Sequence, residues 1–307
     1  MSSRAVWDVL GVGANSVDYV YRLPASPRAD SPTAKMRISS HSLQCGGQMA
    51  TALSACAAMG LRTAYLGAMG DDPNGTRIRD ELLRRGIDLS QCVVRKGVNQ
   101  FAVIAVEEKT GERIVLWDRD DCLLLTPSEV SARAVASARL VHVDDVDQEA
   151  AILAATLARG AGVPATSDID RVTDRTDALV DAVSVPIFAE HVPPAITGED
   201  DPERALRKLR RRHPGLLCIT LGPRGSVILD GDQMIHEPAI PVNAVDTTGA
   251  GDVFRAAFIY ALLRGESARD IIRFANATAA VSCMRPGAIA SVPTLDEANA
   301  ATAQALR

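Results

Sequence analysis

The chain has no pair of cysteines in Cys-x-x-Cys spacing. Cys45, Cys56, Cys92, Cys122, Cys218 and Cys283 are scattered singly. That sets aside zinc-ribbon and thioredoxin-like chemistry and suits a reduced, cytoplasmic protein with mostly buried thiols. Residues 1–8 lack the apolar core of a signal peptide, and no unbroken apolar run is long enough to cross a bilayer, so no membrane role is expected. A Walker A sequence, Gly-x-x-x-x-Gly-Lys-Ser/Thr, is missing, which excludes a P-loop nucleotide site. So is the Gly-x-Ser-x-Gly elbow of one hydrolase class. Internal repeats and low-complexity linkers are not found either. The net charge is −5, and the one basic run, at 207–212, follows Glu203 and contains no aromatic residue. It reads as the solvated face of a helix, and no nucleic-acid partner is expected.

What is present points to one large α/β domain. The 307 residues are 47% hydrophobic, enough to bury a sizeable core over 1–307. The pattern predicts strands at 7–13 and 63–67, extended pieces at 18–23 and 35–42, and helices at 47–59 and 75–85. Two alternating runs, 101–107 and 112–117, flank Lys109-Thr110-Gly111 and predict a hairpin. From Pro127 onward, helices near 127–138, 147–159, 174–183 and 202–213 alternate with strands near 140–144, 164–169, 185–189 and 216–221. That rhythm predicts a mostly parallel central sheet with helices on both faces. A second hairpin at 226–229 and 234–236 and helices at 250–264, 267–284 and 295–306 complete the chain. The extended segments within 14–45 and 97–120 do not fit the rhythm. They read either as edge strands or as a small β lid over a cleft.

The most informative stretch is Asp246-Thr247-Thr248-Gly249-Ala250-Gly251-Asp252. Two glycines and an alanine leave the backbone bare where a helical apolar run begins. Free N–H groups at a helix start, with the helix dipole behind them, hold an anion. A carboxylate beside them can take a proton, which is the equipment of phosphoryl transfer. An N-cap needs only Asp or Thr with a glycine, and this block is longer than that. Gly11-Val12-Gly13-Ala14-Asn15-Ser16 follows a strand, but Ser16 replaces the third glycine of the dinucleotide fingerprint and no helix pattern follows. Asp144, Asp145, Asp168 and Asp170 end two predicted strands, where open α/β sheets bind ligands. They read as a solvated rim, with Asp168 or Asp170 able to hold Mg²⁺. His142 alone does not make a zinc site.

The block at 246–252 resembles the signature of the ribokinase-like carbohydrate kinases of the phosphofructokinase B type. So do Gly46-Gly47-Gln48-Met49-Ala50-Thr51-Ala52, Thr220-Leu221-Gly222-Pro223-Arg224-Gly225, Asn276 and Arg285-Pro286-Gly287-Ala288, in the same order along the chain. The resemblance implies a three-layer fold with a small β lid made by 14–45 and 97–120, and ATP-dependent phosphorylation of a sugar hydroxyl. It implies Asp252 as base, with Gly249, Ala250 and Gly251 as the anion hole. Asp18, Gly46, Gly47 and Thr51 would meet the sugar. Thr220, Gly222, Gly225, Asn276 and Gly287 would border ATP. Asp246, Thr248 and Ser291 fall where some members hold K⁺, and Asp168 is the candidate for Mg²⁺. Lid strands in this family often pair between subunits, which implies a homodimer.

Two departures stand out. Thr51 occupies the position where most members have Asn. The family's Asn-x-x-Glu, which orders Mg²⁺ and phosphates, corresponds to Ala189-Glu190-His191-Val192. Glu190 substitutes there or metal handling differs, and a nucleotide- or sugar-binding regulator without turnover stays open beside the kinase and a nucleoside kinase. Within the family, the forms around Thr51 and Cys283 look most like sulfofructose kinases. That suggests an acidic ketose, with Lys35, Arg37, Arg113 and Arg119 as candidate cations of the lid or as plain surface charges.

Overall fold

Two buried faces per strand account for the architecture of the computed structural model, which describes residues 5–110 and 112–305. In β1 (Trp7–Val12), Val9 packs into one apolar cluster and Leu10 into another. Leu140 and Val141 divide the same way, as do Cys218 and Ile219, and Val227 and Ile228. Successive side chains of a strand point to opposite faces, so a sheet buried on both sides needs apolar residues at every position. The result is the three-layer α/β arrangement expected from the sequence.

The central sheet has two halves. In the first, β1 lies between β4 (Thr63–Leu66) and β9 (Ala138–Asp144), and β10 (Ala165–Asp168) pairs with β9, all parallel. In the second, β11 (Ile187–Ala189) runs parallel to β12 (Leu217–Thr220), which continues antiparallel into β13 (Ser226–Asp230) and β14 (Gln233–Glu237). Isolated bridges Thr166↔Val185 and Ile169↔Phe188 join the halves. One face is covered by α1 (Gln48–Ala58), α2 (Pro73–Arg84), α8 (Ala250–Leu263), α9 (Ala268–Ser282) and α10 (Leu295–Ala305). The other is covered by α3 (Ala132–Ala136), α4 (Gln148–Gly160), α5 (Thr176–Ala182), α6 (Val192–Thr197) and α7 (Pro202–Arg210). Tyr65, Phe188 and Phe258 are among the largest fully buried side chains, each contributing roughly 1.5–3 kcal/mol through burial.

A separate four-stranded sheet stands beside this core, in the order β3-β2-β7-β8. It is made by β2 (Ser16–Leu23), β3 (Ser40–Gly46), β7 (Phe101–Glu107) and β8 (Arg113–Asp118). The pattern at 35–42 misplaces β3. A 3₁₀ turn at Pro32–Ala34 precedes it, and the strand runs on to Gly46 because Ser16 to Arg22 pair with Gly46 to Ser40. The predicted loop Lys109-Thr110-Gly111 includes Gly111, which lies outside the described residues. Short β5 (Ala68–Gly70) and β6 (Val93–Arg95), which pair with each other, and α6, which begins with two prolines, are too brief to show a period in sequence.

Candidate active site

The start of α8 separates two cavities. Gly249 caps the helix with φ 78, a left-handed backbone that costs an L side chain about 1–3 kcal/mol. A methyl there would also stand 2.9 Å from the Ala288 backbone and 3.2 Å from Thr51 Cγ2. Among the described residues, the N–H groups of Gly249 and Gly251 have no hydrogen-bond acceptor in the protein, whereas Ala250 N–H donates to the Thr247 carbonyl at 3.2 Å. Of the three amides expected to hold an anion, those of the two glycines are therefore bare, and Ala250 is engaged in the turn.

On one side of this turn lies a cleft of about 490 Å³. Asp252, Asp168, Asp18, Gly47, Thr248 and Arg113 are on its walls. Burial raises the Asp252 carboxyl well above the usual range, the Asp168 charge raises it further, and Arg255 opposes the rise. Asp168 is pushed up to about 6 by burial, against the pull of Arg255. Asp18, on β2, accepts a hydrogen bond from Ser16 Oγ at 3.0 Å, and burial raises its carboxyl as well. Gly46 makes room for it, since any Cβ there would be 2.7 Å from Asp18 Oδ2.

On the other side lies a cavity of about 660 Å³. Thr220, Gly222, Gly225 and Asn276 line it with Ile240, Val242 and Phe254. Thr220 and Gly251 belong to both cavities. Asn276 is engaged from behind, donating through Nδ2 to the Glu237 and Pro238 carbonyls at 2.9 and 3.3 Å. It fixes the 237–239 segment as a wall. A further cavity of about 730 Å³, between β3 and α2, contains none of these residues.

Several residues singled out from sequence sit elsewhere. Thr51 is fully buried under Gly249, its Oγ1 without a hydrogen bond, and does not line the cleft. It supports the helix start from below. Gly287 N–H is spent on Asp246 Oδ2 at 2.9 Å, bracing the loop away from the second cavity. Asp246 also accepts from Thr248 N–H at 2.9 Å; burial opposes, but these bonds and Arg113 hold its carboxyl low.

Thr248 Oγ1 accepts from Arg113 at 3.1 Å, and Ser291 Oγ is turned onto the Ala288 carbonyl at 3.0 Å. Arg113 thus stands at Thr248, one of the three residues expected at K⁺, while Asp246 and Ser291 keep lone pairs beyond the bonds named. Among the described residues, no group of three or more His, Cys, Asp or Glu could hold a metal.

Asp168 is ion-paired with Arg255, and Glu190 with Arg224. Asp144 accepts from Ala14 and Val146 N–H groups, and burial pushes it up to about 8. Asp145 accepts from the Asp170 and Arg171 amides at 2.7 and 2.6 Å. These two clip strand ends together. His142 bonds Thr166, and burial brings it down to about 3, so it is neutral.

Of the four candidate cations, only Arg113 lines the cleft. Arg119 is held bidentately by Asp147 at 3.0 and 2.9 Å. Sequence reasoning passed over three further residues of the cleft. Trp117 on β8 carries Arg171 at 5.8 Å from its ring centroid, and Arg255 lies buried at the base. The lone arginine in the otherwise apolar run 253–263 is the signal for the last of these.

The pattern of pfkB family carbohydrate kinases matches residues 12–295. The chain is 28% identical over 296 residues to a nucleoside kinase of Methanothermobacter thermautotrophicus, covering 95% of this chain and 94% of that one. It is 29% identical over 290 residues to an ATP-dependent ribose-1-phosphate kinase of Halopiger xanaduensis, covering 94% and 95%. A candidate ribokinase from Agrobacterium tumefaciens superposes with a TM-score of 0.90 at 30% identity, over 98% of both chains. The fold is ribokinase-like, and the chain belongs to the pfkB family of carbohydrate kinases, an ATP-dependent sugar kinase by enzyme class.

Proposed function

We infer that the protein transfers the terminal phosphoryl group of ATP to a hydroxyl of a small sugar or sugar derivative. Asp252 takes the hydroxyl proton, and the N–H groups of Gly249 and Gly251 hold the moving anion. The observation that carries this reading is the shared wall. The bare amides of the α8 start lie between a charged cleft holding Asp252 and an apolar-walled cavity of adenine-compatible size. ATP lies with its base among Ile240, Val242 and Phe254, and its phosphates run toward Gly251. Mg²⁺ comes with the nucleotide, held by phosphates and water with at most one or two carboxylates, as this ion prefers. It neutralises phosphate charge when bound.

The sugar side lies under the small β sheet, which acts as a lid. Asp18 accepts sugar O–H groups, as a carboxylate with free lone pairs does. Arg113 is the lid cation in place to meet an acidic substituent, so a phosphorylated or sulfonated sugar is the favoured substrate class, and the ribose-1-phosphate kinase relative supports it. Trp117 in the same cleft, with the nucleoside kinase relative, favours a second reading in which a nucleobase stacks on the indole. The exposed apolar residues Ile114, Val115, Leu116 and Trp117 on the edge strand β8 support pairing of two lids in a homodimer. Among the described residues, no helix is long and apolar enough to cross a membrane.

The test is ADP release measured over a panel of neutral sugars, acidic sugars and nucleosides, beside calorimetric ATP binding. Turnover greatest with acidic sugars is expected. A preference for nucleosides replaces the first substrate reading with the second, and ATP binding without turnover on every compound would leave a regulator.

A further inference from the structure

Arg255 is the only lysine or arginine among the described residues that is buried, with 3% of its surface exposed. Its place is electrostatically adverse. It lies one turn into α8, at the end whose dipole repels cations, and removing a guanidinium from water costs roughly several kcal/mol. An ion pair with Asp168, Nη2 to Oδ1 at 2.7 Å, partly offsets this. Yet Arg255 Nε and Asp168 Oδ1 are both without a hydrogen bond in the protein. The pair lacks the aligned, two-pronged geometry that would use up the guanidinium.

The remaining nitrogen points back along the helix. A methyl at position 251 would stand 2.8 Å from Arg255 Nη1, so the glycine leaves room for the arginine as well as for an anion. Side chains of a helix lean toward its N-terminus, which carries residue 255 over residue 251. Arg255 thereby reaches the same cleft wall as Asp252, Gly249 and Gly251.

We propose that Arg255, held in place by Asp168, is a catalytic residue that contacts the phosphoryl group as it passes from ATP to the sugar. The proposal rests on the kinase reading above. In that step the sugar oxygen bonds to the γ-phosphorus and its proton goes to Asp252. The bond from phosphorus to the β–γ bridging oxygen breaks, and its electron pair stays on ADP. The arriving group carries negative charge into a place with two carboxylates, Asp252 and Asp168. Arg255 is the fixed cation that offsets them, and Asp168 is its positioning residue.

The experiment compares wild type, Arg255→Gln, Arg255→Lys and Asp168→Asn. Calorimetry in EDTA gives the affinities for ATP, ADP and inorganic phosphate, and steady-state assays with Mg²⁺ give kcat. Arg255→Gln should lose about 10- to 100-fold of the preference for ATP over ADP, the scale of one charge-assisted hydrogen bond. Its kcat should fall about 10²–10³-fold, as on removing one donor from an anion hole. ADP affinity should hold, which reports an intact nucleotide side. Asp168→Asn should show a smaller loss of the same kind.

Equal ATP-to-ADP preference and phosphate affinity in wild type and Arg255→Gln would make the ion pair purely structural and overturn the proposal. If Arg255→Gln does not fold, Arg255→Lys decides. Its single ammonium should cut kcat at least about tenfold with ADP affinity kept, and wild-type values would overturn the proposal. If wild type turns over no compound at all, the kinase reading fails, while the ATP-to-ADP preference still tests the contact of Arg255 with the γ-phosphate.

Discussion

The two cavities that meet at the start of α8 are built in opposite ways. The proposed nucleotide side draws on short contiguous stretches, 220–225, 239–251 and 276–283, and its walls are mostly backbone and apolar side chains. The proposed sugar side draws single residues from β2, β7, β8, the end of β10 and α8, and its walls carry Asp18, Asp168, Asp252, Arg113, Arg171 and Arg255. On the proposed assignment, one side recognises through shape and desolvation and the other through charge. Mutations should therefore separate cleanly, the sugar side governing sugar KM and kcat and the nucleotide side governing ATP KM.

The largest effect is expected at the proposed base. Asp252→Asn should lower kcat about 10²–10⁴-fold, the usual scale for loss of a general base, with ATP affinity little changed. Steady-state kinetics and calorimetry on the same preparation check this. The pH profile sharpens the assignment. As the proposed base, Asp252 would work as the carboxylate, and burial with the Asp168 charge holds its proton tightly, so the rate should rise with pH along a limb lying well above the ordinary value of 3.8. Because the two carboxylates titrate together, the limb belongs to the pair. A limb near that of a free carboxylate would contradict the buried-pair description.

Gly249→Ala comes next. It forces a side chain into a left-handed position against the Ala288 backbone. Stability should fall by roughly 1–3 kcal/mol, and kcat by about 10²-fold through displaced amides. Thermal unfolding and turnover measured together test both. Asp18→Asn should raise the sugar KM about 10- to 100-fold, the cost of a lost hydrogen bond to a charged group, and leave the ATP KM alone. The smallest effect is expected across the turn. Asn276→Ala loses neutral bonds to the Glu237 and Pro238 carbonyls, which should raise the ATP KM about 2- to 10-fold with the sugar KM unchanged. Cross-effects of equal size in these last two variants would break the division between the sides.

The same contrast explains what was legible in the sequence. The helix start at 249–252 announces itself because bare backbone, carboxylate and apolar run are adjacent along the chain. The alternation after Pro127 exposes the layered sheet for the same reason. Thr51 misleads, because its position in a glycine-rich helix start does not say which face of α1 it occupies, and the packing of Ala288 and Gly249 above it decides that. The beginning of β3 is set by pairing with β2, a contact between segments that no local period encodes. Arg113 and Trp117 meet the cleft only through the placement of the small sheet, and Arg171 faces them from the loop after β10. Arg255 is the intermediate case, visible as a charge in an apolar run but given meaning by Asp168, which arrives from the end of β10.

A crystal structure of the protein with ADP, a planar or tetrahedral phosphate mimic and the best sugar of the panel would test the central claim most directly. The account predicts the mimic within about 3 Å of the Gly249 and Gly251 N–H groups, and the accepting hydroxyl within about 3 Å of the Asp252 carboxylate. A mimic seated away from the α8 start, or a sugar whose hydroxyls all lie beyond reach of Asp252, would contradict it.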